Sequence, residues 1–157
     1  MIHKRAHSLS PQTVRPVPFV ELRQSLPSQV ALISPFVDQL MCFVERCRNK
    51  EDSELEIETA LREALANAIL HGNQEDPHKC VHVTCRCTRD GEVSITVQDE
   101  GQGFDSNTVA DPTTPEHRLA KHGRGIYLMK TLMDEVRFEQ GGAVVYMRKN
   151  PNARSVA

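Results

Sequence analysis

Apolar residues follow two different rhythms along this chain. Between Val17 and Arg23 they alternate, Val17 and Phe19 giving way to charged Glu21 and Arg23 while Val20 and Leu22 hold the other parity. That suits a short edge strand with Pro18 near its start. After Pro27-Ser28 the rhythm lengthens: Val30, Ile33, Val37, Leu40, Met41 and Val44 predict a helix to about Arg48, which Pro35 either starts or bends. Ser53 and Glu56 read as a capping box. Ile57, Leu61, Ala64, Leu65 and Ala68 then form the core stripe of a second helix, ended by His71-Gly72-Asn73.

Beyond the turn at Glu75-Asp76-Pro77, alternation returns over Val81 to Arg89 and Glu92 to Gln98, and Arg89-Asp90-Gly91 between them signals a hairpin. Gly101 to Gly123 is polar and aperiodic, a length at which loops are usually functional lids or disordered. Helical spacing resumes from Gly125 to Glu135 through Ile126, Met129, Leu132 and Met133. Val136 to Glu139 and Ala143 to Lys149, joined at Gly141-Gly142, predict a closing hairpin. The order strand, helix, helix, hairpin, lid, helix, hairpin implies an α+β two-layer sandwich, with helices on one face of a mixed, mostly antiparallel sheet. Residues 1–16 and 150–157 read as loose tails around one domain spanning 17–149.

Composition narrows the class. With 157 residues, 39% hydrophobic and 25% charged, the chain suits a single soluble globular domain that needs no disulfide or metal to hold its core. Lys plus Arg number 19 against 21 Asp plus Glu, a balance that argues against a general nucleic-acid binder. No run approaches the roughly 20 apolar residues of a membrane span, and the basic start leads into no apolar signal core, so a cytoplasmic protein is expected. Cys85 and Cys87 share parity with Val81 and Val83 and should line the buried strand face, with Cys80 opposite beside His82. His78, Cys80 and His82 match no usual zinc spacing, and the five thiols imply a reducing compartment.

Three features carry candidate chemistry. Glu63 and Asn67 are four apart and His71 four further, along one side of a helix kept low by Ala60, Ala64 and Ala68. A carboxylate and a carboxamide so spaced can share a hydrated divalent cation, although a solvated pair has the same spacing. The apolar face Val93, Ile95, Val97 ends in Asp99, whose carboxylate needs a donor partner if buried, and Gly101-Gln102-Gly103 follows. A surface turn after a strand is the simpler alternative. Finally, Gly123-Arg124-Gly125 opens a helix whose free N–H groups, with Lys121 and Arg124 alongside, suit a phosphate, or else form only a flexible loop end.

Taken in order, Glu63-Ala64-Leu65-Ala66-Asn67, Asp99-Glu100-Gly101-Gln102-Gly103-Phe104 and Gly123-Arg124-Gly125 resemble the N, G1 and G2 boxes of the GHKL (histidine-kinase-like) ATPase superfamily. The chain is most similar to its small stand-alone anti-sigma factor serine/threonine kinases, over about Val17 to Lys149. The resemblance implies the Bergerat ATP-binding fold, with Asn67 on a Mg²⁺ that bridges the ATP phosphates and Glu63 as general base. It also implies that Asp99 accepts from the adenine amino group, that Gly101 and Gly103 let the backbone run against the base, and that Gly123 and Gly125 meet the phosphates. Phe104 to His122 matches the ATP lid, with Lys121 placed for a phosphate contact.

The implied reaction moves the γ-phosphate of ATP to a Ser or Thr of a STAS-type anti-anti-sigma protein, which competes with a sigma factor for this chain. Homodimerisation is typical of such proteins. One departure stands out: Gly142-Ala143-Val144 occupies the place of the usual Gly-Thr-Thr box, so hydroxyls expected around the adenine are missing. The alternative is a non-catalytic, nucleotide-gated binding module of the same fold. A detached ATP-binding half of a two-component histidine kinase is a weaker fit, because no dimerisation helix with a phospho-accepting His is present.

Overall fold

A computed structural model describes residues 18–48, 53–102 and 121–151, the side chains of Lys121 and His122 excepted. Its strands are β1 (Phe19–Pro27), β2 (Cys80–Thr88), β3 (Val93–Gln98), β4 (Glu135–Glu139) and β5 (Val144–Lys149). Its helices are α1 (Ile33–Cys47), α2 (Glu54–Asn67) and α3 (Lys121–Leu132). The five strands form one sheet in the order β1-β2-β3-β5-β4, antiparallel at every pairing. The architecture is the expected α+β sandwich, without a parallel pair.

Register explains the core. Alternate residues align across strands, so Val83, Val97 and Val145 make one row and Cys85, Ile95 and Met147 the next. All six are buried. Against them pack Val37, Leu40 and Val44 of α1, Ile57, Leu61 and Leu65 of α2, and Met129 of α3. Burial pushes the Cys85 and Cys87 thiols up to about 12, so both behave as apolar filler. Each large aliphatic on α2 stabilises by roughly 1.5–3 kcal/mol, whereas a half-buried i,i+4 pair such as Arg62–Glu58 adds about 0.5 kcal/mol. Packing therefore fixes the helix, and Glu63 and Asn67 ride at its margin.

The opposite sheet face carries polar cross-strand pairs. Glu21 accepts from Arg86, Arg148 pairs with Glu135 at 2.9 Å, and the Arg137 guanidinium lies 4.4 Å from the Tyr146 ring centroid. Both hairpin turns follow glycine chemistry. Gly91 (φ 91°) sits where the β2–β3 turn needs positive φ, and Gly141 and Gly142 do the same in the short 3₁₀ turn before β5.

Several boundaries differ from the sequence reading. β1 runs on to Pro27, because backbone pairing with β2 continues where polar Gln24 and Ser25 interrupt the apolar alternation. A 3₁₀ turn over Val30–Leu32 precedes α1, so Pro35 falls in the first turn, where a missing N–H costs nothing. The capping box does not form. Ser53 Oγ accepts from Arg48 at 2.8 Å, and Glu56 turns to Lys149 instead.

Lys149 is the buried cation that ties α2 to the end of α3. Its Nζ lies 2.5 Å from Glu56 Oε2, donates to the Leu132 carbonyl at 2.7 Å, and has Asp134 Oδ1 at 3.8 Å. Lys149→Met strands the Glu56 carboxylate and the Leu132 carbonyl. It should lower stability by about 1.5–3 kcal/mol, read as a lower urea midpoint with an unchanged slope; an unmoved midpoint would show that the buried ammonium contributes nothing.

Candidate functional site

The sheet and two helices leave a cleft between them. Ala64, Asn67 and Ala68 come from α2 and the residue after it, Val97 and Asp99 from β3 and its exit, Met129 from α3, and Phe138, Gly142, Ala143 and Val145 from the last hairpin. It encloses about 280 Å³ of atom-free space, part of it open solvent. The enclosed part is only about 10 Å³, room for about one water, so a planar ring would have to part the side chains that line the cleft. Among the described residues its walls are apolar apart from Asn67 and Asp99. Two of the predicted site residues thus share one cavity.

Asp99 lies at the inner end of the cleft, only 7% exposed. Burial raises its pKa above the usual 3.8, partly opposed by the Gly101 N–H, which donates to Asp99 Oδ1 at 2.8 Å, and by the charge of Lys79. Two glycines make room for it. A Cβ on Gly72 would collide with the Asp99 carboxylate, and one on Gly101 would collide with the Gly72 carbonyl. The sequence reading took Gly72 for a helix cap. The left-handed residues after α2 are instead Gln74 and Glu75, so Gly72 is required by this close approach. Gly72→Ala should displace the Asp99 side chain and weaken any ligand held there by tenfold or more; unchanged binding in calorimetry would refute the role of this contact.

Asn67 ends the regular part of α2, and Glu63 lies one turn before it, both half-buried. The Asn67 Nδ2 atom is buried and has no hydrogen-bond partner among the described residues, a cost that a polar ligand in the cleft would remove. Gly125 packs across both residues: a Cβ there would sit 2.6 Å from Glu63 Oε2 and 3.5 Å from Asn67 Nδ2. The π-helical turn Ala68–Gly72 breaks the four-residue spacing, and His71 is exposed and does not line the cleft.

α3 begins earlier than its spacing implied. Because it starts at Lys121, Gly123 and Gly125 lie inside the helix, both buried, and the free N–H groups of its first turn belong to residues 121–124. Arg124 is exposed. Gly103, most of the segment Phe104 to His122, and the Lys121 side chain lie outside the described residues.

Sequence reasoning missed Asn73, because nothing local marks it. It is 1% exposed. Its Nδ2 donates to Ser28 Oγ (2.8 Å) and the Cys80 carbonyl (2.9 Å), and its Oδ1 accepts the Glu100 N–H (2.7 Å). Met129 is legible in the sequence only as part of a helical stripe and Phe138 only as part of a strand. Their place in the cleft wall depends on tertiary packing.

Comparison with known proteins agrees with this geometry. The family described as histidine kinase-like ATPase domain matches residues 26–149. An anti-sigma F factor of Geobacillus thermodenitrificans is 33% identical over 135 residues, covering 82% of this chain and 81% of that protein. One from Heyndrickxia coagulans is 35% identical over 98 residues, 59% of this chain and 67% of its own length. The serine-protein kinase RsbW of Bacillus subtilis is 36% identical over 108 residues, 64% and 67%. A crystal structure of the RsbU and RsbW domains of a Mycobacterium tuberculosis protein superposes with a TM-score of 0.57 at 18% identity, over 83% of this chain and 31% of that one, a likeness of fold. The chain belongs to the histidine kinase-like ATPase family, among the relatives named anti-sigma factors and serine-protein kinase.

Proposed function

We propose that this chain is an ATP-dependent anti-sigma kinase, transferring the γ-phosphate of ATP to a Ser or Thr of a STAS-type anti-anti-sigma protein and sequestering a sigma factor. The observation that carries the reading is the cleft shared by Asn67 and Asp99, whose only polar side chains among the described residues are a buried carboxylate and a carboxamide whose Nδ2 has no partner there. A purine ring would wedge between Val97, Met129 and Phe138, parting their side chains, and Asp99 would accept a hydrogen bond from its exocyclic amine. The carboxamide of Asn67 is a hard oxygen donor of the kind Mg²⁺ takes alongside phosphate oxygens. Bound Mg²⁺ would neutralise charge on the phosphates. Glu63, a turn away from Asn67, takes the proton of the attacking hydroxyl. Gly101, Gly103, Gly123 and Gly125 let main chain approach the nucleotide, with Lys121 and Arg124 next to the phosphates.

The names of the relatives support the anti-sigma kinase role. Among the described residues no helix is long and apolar enough to cross a membrane. A sigma factor as partner places the protein in the cytoplasm.

Incubation with ATP, Mg²⁺ and a STAS-type partner tests the reading. Phosphate should appear on a partner Ser or Thr, and partner phosphorylation should leave this chain free to retain its sigma factor. Tight ATP binding without transfer would reduce it to a nucleotide-gated binding module.

A further inference from the structure

We propose that Asn73 is a positioning residue for base recognition: it clamps the main chain just beyond Asp99 and so presets the carboxylate. This rests on the reading of Asp99 as the adenine acceptor. A buried amide can serve as scaffold or as clamp, and its partners decide which. Asn73 joins three separated segments, namely Ser28 after β1, Cys80 at the start of β2, and Glu100 at the exit of β3. The amide orientation is forced, since the Glu100 N–H requires an acceptor and the Cys80 carbonyl a donor. Ser28 Oγ donates its own hydrogen bond to the Lys79 carbonyl at 2.9 Å, so the chain of donors closes.

Glu100 is held a second time, through its side chain. Its carboxylate accepts from the Cys80 N–H at 3.1 Å and from His82 Nε2 at 2.8 Å. That bond leaves His82 Nδ1 as acceptor for the Ser25 hydroxyl at 2.8 Å. These outer contacts are exposed and contribute little each. The Asn73 bond is different. It fixes the peptide immediately after Asp99, while Gly101 N–H fixes Asp99 Oδ1 from the other side. Release of the Glu100 amide frees Asp99 to turn, and a misplacement of about 1 Å at such a contact can cost on the order of a hundredfold.

The test compares MgATP with MgITP, whose base carries a carbonyl in place of the amine. The wild-type chain should prefer ATP by a hundredfold or more. Asn73→Ala should cut that preference to about tenfold or less, with ITP affinity changed by no more than about threefold because the phosphate contacts lie elsewhere. Ser28→Ala, which removes a buried partner of Asn73 but leaves the Glu100 bond, should keep the preference. A merely structural lesion weakens both nucleotides together and leaves their ratio intact, which would overturn the proposal. A wild-type chain that binds both equally sinks the reading of Asp99 and the clamp with it. Hydrogen exchange of the unmutated chain gives an independent check: the Glu100 amide should be protected like the amides of β3, and exchange at the rate of an open loop would overturn the clamp even if Asn73→Ala does not fold.

Discussion

Asp99→Asn is expected to abolish useful nucleotide binding while leaving the fold intact. The substitution keeps the shape of the side chain but replaces one acceptor oxygen by an NH₂ group. The Gly101 N–H already occupies Oδ1, so an asparagine that keeps its oxygen on Gly101 turns its NH₂ toward the cleft. There it meets the adenine amine, donor against donor. Loss of one charge-assisted hydrogen bond, with a buried donor left unmatched, amounts to about 3 kcal/mol, or roughly a 150-fold weaker Kd. Calorimetry with MgATP reads this directly. Binding within threefold of wild type would mean that Asp99 does not contact the base.

The same substitution should not destabilise the free protein, and the sign follows from burial. Desolvation raises the folded pKa of Asp99 above its ordinary 3.8, so the folded state holds this proton more tightly than the unfolded chain. The favourable contribution of the protonated group is complete below the unfolded value and is lost as pH rises through the raised folded value. At neutral pH the ionised carboxylate therefore costs stability, which Asp99→Asn removes. Unliganded Asp99→Asn should melt at or above the wild-type temperature at pH 7, and the gap should close as pH falls toward 3.8.

How far the molecule was legible depended on the range of the forces involved. The stripe Ile57, Leu61, Ala64, Leu65 and Ala68 could be read because a helix repeats its buried face locally, and all five are buried. Val93, Ile95 and Val97 could be read for the same reason at a period of two. Asp99 stood out as a carboxylate closing an apolar strand face, and it is buried as that pattern implied. Signals that depended on competition between partners failed. Ser53 and Glu56 had cap spacing, but Arg48 and Lys149 lie closer to them in the fold and took both side chains. Gly72 was correctly noticed and wrongly explained, since its demand for a missing Cβ comes from Asp99, which is 27 positions away. Asn73 had no local signature at all. Its three partners are brought together only by sheet pairing.

Glu63→Gln should separate chemistry from binding in the opposite sense. Glu63 does not line the cleft beside Asn67 and Asp99; its contact is with Gly125, across which its carboxylate packs. Glutamine keeps that shape, so MgATP affinity should stay within about threefold. What it would remove is the proposed proton acceptor, and a positioned general base contributes about 10²–10⁴-fold. Single-turnover transfer to the partner should slow by that factor, a barrier rise of about 2.7–5.5 kcal/mol. Asn67→Ala should differ again, losing affinity and rate together, because the carboxamide would hold the metal on which phosphate placement depends. Unimpaired transfer by Glu63→Gln would remove Glu63 from the reaction. A parallel loss of affinity would make it a binding residue instead. The two carboxylates thus have distinct expected signatures, Asp99 in the dissociation constant and Glu63 in the rate of transfer. That division follows from where the fold places them, one buried in the cleft wall and the other outside it, against Gly125 of α3.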